Sequence, residues 1–198
     1  MKIEELPKAV INLPHRQDRL NKFKKEMATV GLHGIMLQPG IIDAKVSKGI
    51  SMSHLAAMEL CFKKGDYALV MEDDVWFPGR HKTIARMNEC LANAPAEWDI
   101  LLGGLYKQEH HSKHNEYWNS VPIFNGLHFY IINKKAFERI KKEIKHTDHI
   151  DKWISEKKFN VYVMNPMCAM QYDGYSDNVK YETKYNKLYL KRFNIFKP

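Results

Sequence analysis

Short apolar runs alternate with stretches of three-and-four spacing along most of the chain. Lys8 to Leu13 (KAVINL) predicts a buried strand, and Pro14 opens a helix. Leu20, Phe23, Met27 and Val30 share one face of that helix, and Gly31 is a natural stop. Residues 33–50 are mixed and punctuated by Pro39, Gly40 and Gly49; a second helix is expected from Ser51 or Ser53, either of which suits an N-cap, to Gly65. Tyr67 to Met71 (YALVM) reads as a central strand covered on both faces. A helix over 79–93 carries Ile84, Met87 and Leu91; a strand at 98–102 follows and closes at Gly103-Gly104. Residues 105–120 read as a long polar loop, 129–132 as a strand, and Asn133 as the cap of a helix bearing Phe137, Ile140 and Ile144. A short helix at 149–157 and a strand at 159–164 complete the expected core. Strands alternating with helices predict an α/β fold with a mainly parallel central sheet flanked by helices.

The 198 residues, 44% apolar and 27% charged, suit one globular domain and exclude fibrous, low-complexity and membrane-spanning readings. A formal charge of +8 favours anionic partners without choosing among them. Much of the excess lies in residues 180–198, where Lys180, Lys184, Lys187, Lys191, Arg192 and Lys197 face only Glu182. Cys61, Cys90 and Cys168 are odd in number and widely spaced, which predicts buried free thiols. With no secretory leader in MKIEELPKAV, a cytoplasmic setting is expected.

Three segments carry candidate chemistry. Glu72, Asp73 and Asp74 follow the most buried strand, at the carboxyl edge where open α/β sheets bind ligands. Alternation places Glu72 and Asp74 on one side, where hard oxygens suit Mn²⁺ or Mg²⁺; an acidic turn neutralised by solvent is the alternative. Asn12 and Leu13, with Arg16 and Arg19 at the following helix start, suit a phosphate, although an arginine in a first turn is often only solvated. Ser53 and His54 stand after Gly49, as a cap and a first-turn polar residue or as ligand contacts.

Taken in order, these segments resemble the glycosyltransferases that include the lipooligosaccharide (LPS) galactosyltransferases and the procollagen galactosyltransferases. The resemblance rests on Ile11-Asn12-Leu13 with Arg16 and Arg19, on Gly49 with Ser53-His54, and on Glu72-Asp73-Asp74. Phe129 to Ala136, Asp151 before Trp153, and Gln171 with Ser176-Asp177 look like later elements of the same family. It departs in having Asn133 where the family has Ser, and in a loop holding His110, His111 and His114. It spans roughly residues 8–178 and implies a nucleotide-diphospho-sugar transferase domain of the GT-A-like type over 1–178, with 179–198 as a basic aromatic appendage.

The resemblance further implies transfer of galactose or glucose from a UDP-sugar, with inversion, to a hydroxyl of a glycan, a lipid-linked sugar or a protein. Glu72 and Asp74 would hold Mn²⁺ or Mg²⁺; Asp73 would meet the ribose, and Arg16 or Arg19 the phosphates. Asp151, or else Asp148, would be the base; the plainer role for Asp151 is capping a helix start. The histidines read as a loop facing the acceptor or solvent. The tail either wraps its own domain or makes a peripheral contact with a membrane or lipid-linked acceptor. No nucleic-acid partner is expected, and the oligomeric state is open. A metal-dependent nuclease or nucleotidyltransferase would also use the acids and the basic charge, and a non-catalytic sugar-nucleotide-binding domain would keep the fold alone.

Overall fold

In the computed structural model, residues 1–109, 111–145, 148–177, 180–185 and 194–196 are described. His110, Lys187, Lys191, Arg192 and Lys197, and the boundary expected at 178–179, lie outside them. The amino-terminal half runs β1 (Lys8–Asn12), α1 (Gln17–Val30), β2 (Ile35–Pro39), α2 (Val46–Phe62), β3 (Tyr67–Glu72), β4 (Val75–Trp76), α3 (Thr83–Ala92) and β5 (Ile100–Leu102). Next come β6 (Lys107–Glu109), β7 (Ser112–Lys113), β8 (Trp118–Ser120), β9 (Ile123–Asn125), β10 (Phe129–Asn133), α4 (Lys134–Glu143) and α5 (Ile150–Glu156). The chain then forms β11 (Val161–Met164), β12 (Met170–Gln171), β13 (Gly174–Ser176) and β14 (Tyr181–Thr183).

The main sheet has the order β2-β1-β3-β10-β5-β11-β8-β7. Strands β1, β2, β3, β5 and β11 run one way, and β10 runs against them between β3 and β5. The class is therefore α/β with a mainly parallel sheet, as the alternation of elements predicts. Alternate residues of the central strands feed two cores. Val70, Tyr130, Ile132, Ile100 and Leu102 pack with Ala57, Met58, Phe137, Ile140 and Trp153 on α2, α4 and α5. Leu69, Met71, Phe129, Ile131 and Leu101 pack with Phe23, Met27, Met87 and Cys90 on α1 and α3. Burial on both faces explains why β3 reads as one unbroken apolar run.

Three sequence expectations are corrected. Residues 33–50 hold an edge strand, β2, which among the described residues pairs with β1 alone; its half-exposed residues and terminal Pro39 hide the usual period. Helix α2 begins at Val46 rather than at Ser51 or Ser53, and no side chain caps it. Ser53 is instead interior: its hydroxyl donates to the Gly49 carbonyl at 2.7 Å and accepts from the Ile41 amide at 2.7 Å. The loop after Pro39 thus lies against the helix, and a Cβ on Gly49 would meet the Ile41 carbonyl oxygen at 2.5 Å. Within 105–120 the polar segments form β6, β7 and β8, held by pairing partners rather than by an apolar face. His114 ends the β7–β8 hairpin, where its ring meets that of Tyr162.

Other expectations stand. Gly31 closes α1 in the left-handed conformation. Asn133 caps α4 by accepting from the Ala136 amide at 2.8 Å, and its own amide donates to the Trp98 carbonyl. The three cysteines are free and buried. Ile195 bridges to Met167, and the Phe196 amide donates to the Met167 carbonyl, so these tail residues lie on the domain. Gly103-Gly104 does more than end β5: residues 168–169 hydrogen-bond back to the Gly103 carbonyl, and a Cβ on Gly104 would sit 1.9 Å from the Ala169 oxygen.

Two stability measurements follow. Asn133→Ala should lower the unfolding free energy by about 1–2 kcal/mol in urea titration, through the lost cap. Gly104→Ala should cost about 2–3 kcal/mol, because the clash is with backbone that cannot turn aside; a midpoint equal to wild type would mean that residues 168–169 do not pass there.

Candidate active site

The acidic triplet lies where the sheet places it, at the carboxyl end of β3. Ile11 is the register partner of Glu72. The residue after Ile11, Asn12, is therefore set beside Asp73, and its amide donates to Asp73 Oδ2 at 2.6 Å and to the Arg16 carbonyl at 3.0 Å. Asp73 and Asp74 make the turn into β4. Arg19, reaching in from α1, holds Asp73 Oδ1 at 2.9 Å and pairs with Asp74. Asp73 therefore faces Asn12 and Arg19, while Glu72 and Asp74 converge. Between those two stands the amide nitrogen of Gln171, at 3.3 Å from Glu72 Oε2 and 3.3 Å from each oxygen of Asp74.

His54, on α2, is buried; its Nε2 lies 3.4 Å from Glu72 Oε1 and its Nδ1 3.0 Å from the Tyr130 hydroxyl. These groups border a cleft of about 270 Å³. Its opposite wall is apolar, built from Leu13, Ile41, Ile42, Val46 and Ile50. Ile42 is 71% exposed and Val46 40%. Arg16 is not on this wall; it pairs with Asp18 and with Asp177, whose segment closes the cleft from the carboxy-terminal side.

The electrostatics follow from burial. Desolvation pushes the Asp74 carboxyl up to about 7, with Glu72 and Asp73 adding to the rise against Arg19 and Gln171. Burial also raises Asp73, despite Arg19 and Asn12. Glu72, though burial pushes it up as well, is held below the ordinary carboxylate value by His54, His128 and Arg19. The corner therefore carries more negative charge than its own cations neutralise.

Among the described residues no group of three or more His, Cys, Asp or Glu side chains could enclose a metal alone. Two converging carboxylates, underneutralised and facing a cleft, are nevertheless the donor set that Mg²⁺ or Mn²⁺ shares with substrate phosphates and water. The buried Gln171 Oε1, which has no hydrogen-bond partner among the described residues, adds a further oxygen beside them. The residues fit the cation.

Of the sequence candidates, Leu13, Arg19, Ser53, His54, Glu72, Asp73 and Asp74 line this cleft together, and Asn12 sits directly behind Asp73. Asp148 and Asp151 do not line it. Asp148 accepts from the Lys145 amide at 3.0 Å within its own turn. Asp151 is 4% exposed; its carboxylate accepts from the Gly126 amide at 3.2 Å and the Lys152 amide at 2.9 Å, and pairs with His149. Neither carboxylate meets the cleft directly, because each is turned into backbone at the start of α5. Sequence reasoning missed the Ile41–Asp43 wall and left Gln171 and Asp177 without a role. The signal for the wall was Ile41-Ile42 directly after Gly40, an apolar pair in a loop.

Compared with curated protein sequences, the chain has no match. Solved structures similar to it include A197 from STIV, at 15% identity and a TM-score of 0.49, covering 86% of this chain and 85% of that one. Another is a mutant Drosophila β1,4-galactosyltransferase 7 in complex with manganese, UDP-Gal and xylobiose, at 14% identity and a TM-score of 0.38, covering 67% and 50%. A third is the inositol-1-phosphate CTP transferase from T. maritima, at 16% identity and a TM-score of 0.40, covering 79% and 64%. The sequence profile of glycosyltransferase family 25 (LPS biosynthesis protein) matches residues 44–182, a span that includes α2, the acidic turn and Gln171. The chain belongs to this family and is a glycosyltransferase.

Proposed function

We propose that the chain transfers a hexose, galactose or glucose, from a UDP-sugar to an acceptor hydroxyl, with inversion and with Mn²⁺ or Mg²⁺ held by Glu72 and Asp74. The observation that carries this reading is the underneutralised acidic corner opening onto an apolar-walled cleft. When bound, the cation supplies positive charge where the leaving diphosphate gains negative charge.

The protein's own groups divide the remaining work. Leu13, Ile41, Ile42 and Val46 offer an apolar face for the uracil ring. Asp73, fixed by Asn12, accepts from the ribose. Arg19 lies against Asp73 and Asp74, at the edge where the diphosphate would sit, and Arg16 neighbours it. Ser53 holds the loop that carries the apolar wall, and His54 keeps Glu72 in place. Inversion is a single displacement: the acceptor oxygen bonds to the anomeric carbon as the bond to UDP breaks, and the hydroxyl proton passes to a base. Asp151 is buried whereas the His149 side chain is 45% exposed, so the imidazole is the solvent-facing member of that pair and is taken as the base. Asp151 acts as its positioning residue, and its bond raises the His149 pKa above the ordinary value. Asp148 shapes the turn that precedes this pair. The acceptor class is a glycan, lipid-linked or protein hydroxyl, with the basic tail available for an anionic or membrane-associated one.

Donor hydrolysis across a panel of UDP-sugars, with and without Mn²⁺, tests the reading. UDP and Mn²⁺ together should raise the melting temperature, and DNA should not. Asp74→Asn should lower turnover about 100-fold or more and abolish cation-dependent UDP binding while the fold persists; turnover equal to wild type would remove the cation from this corner. Asp151→Asn should reduce kcat far more than donor affinity. A base must be deprotonated to work, so the rate falls as acid protonates His149. Without Asp151 the His149 pKa drops, and the acid limb of the pH–rate profile should move to lower pH; an unmoved limb would place the base elsewhere.

A further inference from the structure

Gln171 is brought to the acidic corner by backbone, not by chance contact of a long side chain. Its register partner across β4–β12 is Val75, the residue after Asp74. The Trp76 indole donates to the Gln171 carbonyl at 3.1 Å, and the Tyr172 amide donates to the Asp74 carbonyl at 2.9 Å. Gln171 is 5% exposed, so its amide is committed to the site. Its nitrogen stands between Glu72 and Asp74, yet at 3.3 Å from all three oxygens it makes long, shared hydrogen bonds that are cheaply broken. Its oxygen has no hydrogen-bond partner among the described residues. A buried primary amide with one end weakly shared among carboxylates and the other orphaned is poorly satisfied as it stands.

A half-turn about the last side-chain torsion exchanges the two ends. The oxygen then faces Glu72 and Asp74, which is repulsive unless a cation lies between them. With a cation there, oxygens from Glu72 at the end of β3, Asp74 in the turn before β4 and Gln171 on β12 converge on it. We propose that Gln171 is an exchangeable third ligand: Nε2 stands in for the ion while the corner is empty, and Oε1 coordinates the ion when it enters. This assignment rests on the cation reading above and adds a ligand to it.

The test is Mn²⁺ titration of the full chain, following the free-ion electron paramagnetic resonance signal with and without UDP, for wild type, Gln171→Leu and Gln171→Glu. Leu removes the ligand and should weaken Mn²⁺ binding about tenfold. Glu replaces a neutral oxygen by a charged one and should tighten it by a similar factor. Urea unfolding in chelator provides the second readout: Gln171→Glu should be the least stable without metal, since it adds a fourth acid, and Mn²⁺ should restore it. Mn²⁺ affinities equal to wild type in both variants, whatever their stability, would reduce Gln171 to a spacer and overturn the assignment. No Mn²⁺ binding by wild type under either condition would overturn the cation reading itself, and this inference with it. Retained wild-type affinity in Asp74→Asn would place the ion elsewhere and overturn both.

Discussion

Three carboxylates are packed at the end of a strand that is buried on both faces, and the charge balance of the whole site depends on that placement. Water would neutralise such a cluster at the surface. Here solvent is largely withdrawn, and Arg19 with the rings of His54 and His128 is what the protein sets against Glu72, Asp73 and Asp74. One guanidinium does not balance three acids in a medium of low polarity, so Asp74 is driven toward its neutral form. The arrangement makes the corner receptive to added positive charge, and it explains why so much of the neighbouring hydrogen bonding, from Asn12 to Gln171, is spent on holding carboxylates still.

The sheet supplies the geometry for this. Because β1 and β3 are parallel neighbours, their carboxyl ends bring Asn12 and Asp73 together without any long side chain. Because β10 runs the opposite way, its start lies at the same edge: the Glu72 amide donates to the His128 carbonyl, and Tyr130 reaches His54. On the other side of the cleft, Ser53 ties the Ile41 amide to α2, so the apolar wall and the helix bearing His54 are one unit. The apolar and charge-bearing walls are thus each anchored to the core.

Much of this was legible in the sequence, for identifiable reasons. Leu69, Val70 and Met71 announce β3 because both faces of that strand are apolar, and the acids mark its end. Leu20, Phe23, Met27 and Val30 announce α1 because one stripe is buried. The edge strand β2 was hidden because, among the described residues, one side of it has no strand partner. The start of α2 was hidden because Lys45 caps nothing and the helix is held by Gly49 and Ser53 against a loop, which only tertiary contact reveals. The role of Asp151 is not legible in the sequence for a similar reason: an acid before Trp153 looks the same whether it faces substrate or binds the Gly126 amide. Gln171 was visible as a motif residue, but its partners lie 97 and 99 positions away, beyond any local pattern.

That separation has a consequence for biogenesis. Asn12, Arg19 and the three acids leave the ribosome long before the β12 segment exists, so a nascent chain displays the acidic turn with its amide partner still unmade. The pocket reaches its final form only when β12 docks on β4.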